Sequence, residues 1–178
     1  MNHVLERPSA TAAVVPTNAS AQVASKPLPG EFLTIKLGAE EYAIEILRVQ
    51  EIRSYEQPTR IATAPECVKG IINLRGVIVP VVDLRMKFGM SDVKYDEFTV
   101  VVMLNVAGRV LGAVVDSVSD VCQLKAEHIK PNPALSTSTD AELFTGIGSL
   151  NGRMLILLDI EALMRSPELC LLEHAAAH

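Results

Sequence analysis

The feature that most constrains this chain is an internal duplication whose two copies keep turn, apolar run and acidic terminus in the same order. Gly70-Ile71-Ile72-Asn73-Leu74-Arg75-Gly76, followed by Val77 to Leu84, is matched by Gly146-Ile147-Gly148-Ser149-Leu150-Asn151-Gly152, followed by Arg153 to Ile160. Asp83 falls opposite Asp159. Upstream, Leu33 to Leu37 and Tyr42 to Ile52 match Val102 to Val106 and Leu111 to Val121. One β-rich unit is used twice, and the copies differ at the turn, where the first carries Arg75 and the second Asn151.

Within each copy, short apolar runs are separated by glycine-containing turns. Phe32 to Leu37 and Tyr42 to Ile46 read as strands joined through Gly38 to Glu41. From Leu47 to Arg53 the chain stays extended, with Val49, Glu51 and Arg53 on one face. Asn151-Gly152 is a strong hairpin signal because both turn positions need positive φ, and it predicts a hairpin at Arg75-Gly76 by correspondence. Pro80 cannot donate a ladder hydrogen bond, so its strand belongs at an edge or carries a bulge. The second unit opens with Thr99 to Val106, turns at Ala107 to Arg109 and returns through Val115.

Thr63 to Gly70 and Asp140 to Gly146 read as short helical turns, the first with Pro65 near its start and Gly70 stopping it. A polar connection spans 125–139. Residues 1–30, rich in Ala, Ser, Thr and Pro, read as a disordered tail, and 166–178 as a C-terminal helix and tail with Leu169 and Leu172 facing the body. The sum is an all-β class: two small barrels side by side, about 31–90 and about 91–165, with strand exchange possible. A doubly wound α/β fold lacks its crossover helices here.

Composition narrows function by exclusion. A net charge of -5 and an aromatic content of 4% without Trp argue against a nucleic-acid binder, which needs cations for phosphates and rings for bases. The longest apolar run, Val77 to Val82, is far below the roughly 20 residues that span a bilayer. The N-terminus does not read as a secretory signal, which points to a cytoplasmic protein. Cys67, Cys122 and Cys170 are odd in number and unpaired in spacing, so they read as packed thiols. His128 stands in a polar connection and reads as solvated rather than catalytic. Asp83 and Asp159 read as strand-ending backbone acceptors in preference to a catalytic carboxylate pair. Asp116 and Asp120 lack the glycine and terminal glutamate of a calcium loop. No metal, cofactor or enzyme is expected. Arg75, at a hairpin tip within an apolar stretch, is either an ordinary turn residue or a guanidinium presented to a partner.

Glu31-Phe32-Leu33, Leu37-Gly38, Glu41 to Ile44, Val49-Gln50-Glu51-Ile52-Arg53 and the run Gly70 to Arg85 resemble the CheW family of bacterial chemotaxis coupling proteins. Asp116 to Val121, Thr145 to Gly148 and Arg153 to Ile160 continue the likeness, which covers about 31–165. The resemblance implies two SH3-like five-stranded β-barrels. It implies an adaptor bridging the regulatory domain of the histidine kinase CheA and the cytoplasmic tip of methyl-accepting chemoreceptors. By the same resemblance, Val49, Glu51, Arg75 and Val121 fall at receptor-facing positions and Gly70 at a kinase-binding one. The kinase itself and receiver-fused adaptors share the fold in longer chains; these 178 residues carry no kinase motif. A related adaptor in an array for twitching motility or surface sensing is the alternative.

Overall fold

The computed structural model describes residues 28–131 and 142–170. Most of the expected tail, the distal half of the 125–139 connection and the position of Leu172 lie outside them. The described residues form strands β1 (Gly30–Leu37), β2 (Glu40–Glu45), β3 (Val49–Ser54), β4 (Val68–Leu74), β5 (Val77–Asp83), β6 (Val100–Val106), β7 (Arg109–Val115), β8 (Ser117–Leu124), β9 (Ile129–Pro131), β10 (Phe144–Leu150) and β11 (Arg153–Leu158). Two short helices, α1 (Leu84–Lys87) and α2 (Ile160–Met164), follow β5 and β11.

The strands make two sheets, and each draws on both sequence repeats. One runs β3-β6-β7-β5-β4 and the other β8-β1-β2-β11-β10-β9. Under the duplication β6 corresponds to β1, β7 to β2, β8 to β3 and β11 to β5, so the two orders are the same arrangement with the hairpins exchanged. Parallel pairing joins the pieces in both: Val81 to Gly112 in one sheet, Ile156 to Tyr42 in the other. Pro80 lies one residue before that parallel pairing begins, in the part of β5 that has a single neighbour.

The predicted hairpin is present, and so is its counterpart between β6 and β7. Arg75 and Gly76 have φ of 52° and 88°, Asn151 and Gly152 51° and 76°, Ala107 and Gly108 51° and 84°. Such turns match the right-handed twist of the flanking strands. Arg75 tolerates this conformation with local help: the Asn73 side-chain carbonyl accepts from the Gly76 N–H at 2.7 Å, as Asn105 does for Gly108 at 3.1 Å.

Burial follows the exchange. A central cluster between the sheets takes Leu33, Ile35, Tyr42 and Ile44 from one sheet and Val82, Val102, Leu104 and Ala113 from the other. Two smaller clusters fill each sheet's own concavity: Phe32, Ala43, Leu124, Leu155 and Leu157, and Leu74, Val79, Val81, Val101 and Met103. Leu169 is buried as expected.

One expectation is corrected and a second is shortened. Thr63 to Gly70 is not a helical turn; a single turn closes where the Val68 N–H donates to the Pro65 carbonyl at 2.9 Å, and β4 starts at Val68. Gly70 is inside that strand, at a bulge opposite Val81 with φ of 141°. The expected helix at 140–146 is present only in part: Glu142 and Leu143 form a 3-10 turn, and β10 starts at Phe144, with its own bulge before Gly146. Pro and Gly resemble helix brackets in sequence, but here Gly supplies the backbone freedom a bulge needs.

Candidate functional site

Arg75 stands at the tip of the β4–β5 hairpin with its side chain 74% exposed, and its Nη2 donates to the Glu51 carboxylate on β3 at 2.5 Å. The pair therefore spans the seam between the two outer strands of the five-stranded sheet. At the other side of that seam the Thr59 and Ile71 backbones exchange hydrogen bonds of 3.0 and 2.9 Å. Between these two closures lies a cleft of about 240 Å³, floored by Val81 and Val101 and rimmed by Arg53, Glu56 and Asn73. Ile52, Val77 and Ile78 leave apolar surface exposed around the hairpin tip.

The second repeat handles its guanidinium differently. Arg153, two residues past the Asn151 turn position, donates to Glu41 at 2.8 Å and to Asp120 at 3.2 Å. These bonds to Arg153 hold the Glu41 and Asp120 carboxyls below their usual range. Arg153 is thus saturated by two carboxylates, whereas Arg75 donates to one and keeps N–H groups toward solvent. At the turn the first hairpin thus presents an exposed guanidinium where the second presents Asn151.

Of the other positions, Val49 is half-buried against the central cluster and presents only part of its surface. Val121 is 53% exposed but lies on β8, opposite Leu33 in the six-stranded sheet. Glu51 and Arg75 are in direct contact; Val121 belongs to the other sheet. Gly70 is buried, and its tight backbone approach is internal: a Cβ there would stand 2.1 Å from the Thr59 carbonyl oxygen. What Gly70 controls at the surface is the course of the Thr59–Arg60 backbone.

The two aspartates each serve their own helix. The Asp83 carboxylate accepts from the Arg85 N–H and that of Asp159 from the Ala162 N–H, both at 3.0 Å, capping α1 and α2. Asp83 also carries an interaction that sequence reading missed, a fork with the Arg85 Nε and Nη2 at 2.9 and 2.7 Å. Arg85 is 1% exposed, yet its Nη1 reaches Asp116 at 2.7 Å and the Lys94 carbonyl at 2.6 Å. Burial alone would lower its pKa, but the bonds to Asp83 and Asp116 outweigh this and keep it charged. Tyr95 donates to Asp83 at 2.8 Å and lies against the guanidinium, 4.8 Å from ring centre; burial and this bond push its phenol up. His128 accepts from the Lys125 N–H at 3.0 Å in a surface turn. Among the described residues no three His, Cys, Asp or Glu side chains converge on a metal position. Burial raises the Cys67 and Cys122 thiols, as suits packed side chains.

A family model for the CheW-like domain matches residues 31–168. The chain belongs to the CheW family. It is 53% identical over 155 residues to the chemotaxis protein CheW of Klebsiella aerogenes, covering 87% of this chain and 93% of that one. A probable chemotaxis protein CheW of Rhizobium etli is 32% identical over 138 residues, 78% of this chain and 89% of the other. The crystal structure of the scaffolding protein TtCheW of Thermoanaerobacter tengcongensis superposes with a TM-score of 0.72 at 29% identity, covering 79% of this chain and 96% of that chain. Two SH3-like barrels, as the resemblance implies, are the architecture of this fold.

Proposed function

We propose that this CheW-family protein is a non-catalytic adaptor that couples the cytoplasmic tips of methyl-accepting chemoreceptors to the histidine kinase CheA. It would act in the cytoplasm, held at membrane-bound receptor arrays through its partners. In keeping with that, no helix among the described residues is long and apolar enough to cross a membrane. The observation that carries the reading is the asymmetry between repeats: Arg75 is anchored by one carboxylate, exposed, and set beside uncovered Ile52, Val77 and Ile78.

A receptor's helical hairpin would lay its apolar face against Ile52, Val77, Val121 and the exposed part of Val49, a helix-in-groove contact. Arg75 and Glu51 would fix its register through bidentate hydrogen bonds. The kinase's regulatory domain would contact the Thr59–Arg60 connection that Gly70 positions. Single contacts of modest strength suffice, because an array makes the second contact effectively intramolecular. Receptor state then reaches the kinase as a coupling free energy between the two docking faces.

The test is reconstitution of kinase and receptor fragments with and without this protein, following kinase autophosphorylation. Receptor-dependent change in phosphorylation is expected only when the protein is present. Kinase activity indifferent to its addition would end the proposal.

A further inference from the structure

Each repeat closes with an aspartate-capped helix, and each helix sends a charged side chain to the corner between the second and third strands of the other repeat. In the first repeat this is Arg85, bonded to Asp116 in the β7–β8 corner at 2.7 Å. In the second it is Glu161, the residue corresponding to Arg85, bonded to Arg48 in the β2–β3 corner at 2.6 Å. The two clamps are related by the duplication and inverted in polarity. They also differ in surroundings: Arg85 is enclosed, while Arg48 and Glu161 are 32% and 47% exposed.

The enclosed clamp joins the two sheets. Asp83, which forks onto Arg85, ends β5 of the five-stranded sheet. Asp116 is tied to the six-stranded sheet: its N–H donates to the Lys36 carbonyl at 3.1 Å and its carboxylate accepts from Gly38 at 2.6 Å in the β1–β2 turn. Lys94 and Tyr95, from the connection between the repeats, complete the cage. A line of charge-assisted bonds thus runs from one sheet through Arg85 to the other. The central cluster around it is apolar, and apolar contact opposes separation of two surfaces far more than it opposes their rotation. Directional bonds to a fork-shaped cation oppose both.

We infer that Arg85 is a positioning residue for partner recognition, setting the angle at which the sheet bearing Arg75 and Glu51 meets the sheet bearing Val121. The inference rests on the receptor-coupling reading, because only a partner that touches both sheets senses that angle.

The experiment uses the full chain with nitroxides at Glu56, beside the five-stranded sheet, and Lys130, on β9 of the six-stranded sheet, introduced through encoded p-acetylphenylalanine. Pulsed electron spin resonance reads the distance distribution, and titration with a helical-hairpin fragment of a chemoreceptor tip reads affinity. Arg85→Met is expected to broaden the distribution and weaken binding about tenfold, within the usual range of coupling between sites. Asp116→Asn, which keeps an acceptor for Gly38 but removes a charge from the clamp, is expected to do the same to a smaller degree and decides the matter if Arg85→Met fails to fold. Glu161→Gln, at the exposed clamp, is expected to change neither. An unbroadened distribution in a folded variant, or a broadened one with unchanged affinity, overturns the inference, as does weakened binding without broadening. If the unsubstituted protein fails to bind the fragment, the coupling reading falls, and an unbroadened distribution then removes the clamp's role as well.

Discussion

Replacing Gly70 by alanine adds one methyl group to a buried backbone position, and its consequences can be built up from the geometry. The φ of 141° is open to glycine and strained for any L side chain, at on the order of 1–3 kcal/mol. The new Cβ would lie 2.1 Å from the Thr59 oxygen and 2.7 Å from its carbonyl carbon. Neither atom belongs to a flexible side chain, so the backbone at 59–60 must withdraw. Withdrawal weakens the two hydrogen bonds between Thr59 and Ile71, worth about 1 kcal/mol each. The sum is about 3–5 kcal/mol if both bonds are lost, at most the lower end of the roughly 5–15 kcal/mol of a typical domain, so the variant is expected to stay folded at 25 °C. Urea unfolding followed by circular dichroism measures it. Gly76→Ala is the control: its φ is 88° with open space around it, so only strain of about 1–2 kcal/mol is expected. Equal losses for the two variants would refute the claim that the Thr59 approach governs Gly70. The same reasoning reaches the kinase. Gly70→Ala and Gly70→Asp should both weaken CheA binding, since both displace 59–60. A loss with aspartate alone would make charge, and not backbone course, the cause.

Arg75→Ala is expected to reduce affinity for a receptor-tip fragment by about 2 kcal/mol, the scale of an interface hot spot, while unfolding shifts by less than about 1 kcal/mol because the Glu51 pair is exposed; unchanged affinity in a pull-down or titration removes Arg75 from the site. Asp159→Ala removes a helix cap, worth about 1 kcal/mol, whereas Asp83→Asn breaks an enclosed ion pair and should cost about 3–5 kcal/mol by urea unfolding; a larger loss for Asp159→Ala than for Asp83→Asn would contradict the difference in burial. Glu41 and Asp120 have carboxyls lowered by Arg153, so their contribution is complete above the unfolded carboxylate range near about pH 4 and fades as pH falls through their lower folded values. Arg153→Ala should therefore shrink the loss of stability on acidification in that window, and an acid limb identical to that of the unsubstituted protein counts against the pairing. Residues 31–90 expressed alone should be unfolded by circular dichroism and hydrogen exchange, because β5 would lack Gly112 to Val114, its partners on β7; a cooperative unfolding transition for the fragment would show that a repeat folds on its own.

The parts of the fold legible in sequence are those decided within a few residues. Asn151-Gly152 specifies its turn through backbone sterics, and Arg75-Gly76 and Ala107-Gly108 take the same φ signs. Asp83 and Asp159 read correctly as backbone acceptors, since an aspartate before a helix has an N–H within reach. Where two local readings competed, distant contact decided between them. Pro65 and Gly70 look like the ends of a helical turn, and only the Thr59 backbone packed on Gly70 turns that stretch into a bulged strand. Sequence reading gives Arg85 no role: the carboxylate that encloses it from outside its own segment, Asp116, is 31 residues away.

The exchange of hairpins is a case of the same kind. Tyr42 to Ile44 and Leu111 to Val115 are apolar and buried on both faces, so by pattern alone either could have lain beside either apolar strand that ends in aspartate. The pairing found puts β2 beside β11 and β7 beside β5, which commits every sheet edge between the repeats to the opposite repeat. A duplicated unit joined this way cannot separate into its two repeats without breaking both parallel ladders. On the proposed reading, a motion that passes between the two docking faces with both ladders intact is a rotation of whole sheets across the Leu33–Ile35–Val102–Ala113 cluster. Such a rotation would strain the bonds of Arg85, whose two carboxylates are anchored in different sheets. In that reading the enclosed charges of Asp83 and Arg85, with Asp116 at their rim, hold the two sheets at an angle, while Arg75 stays exposed for a partner.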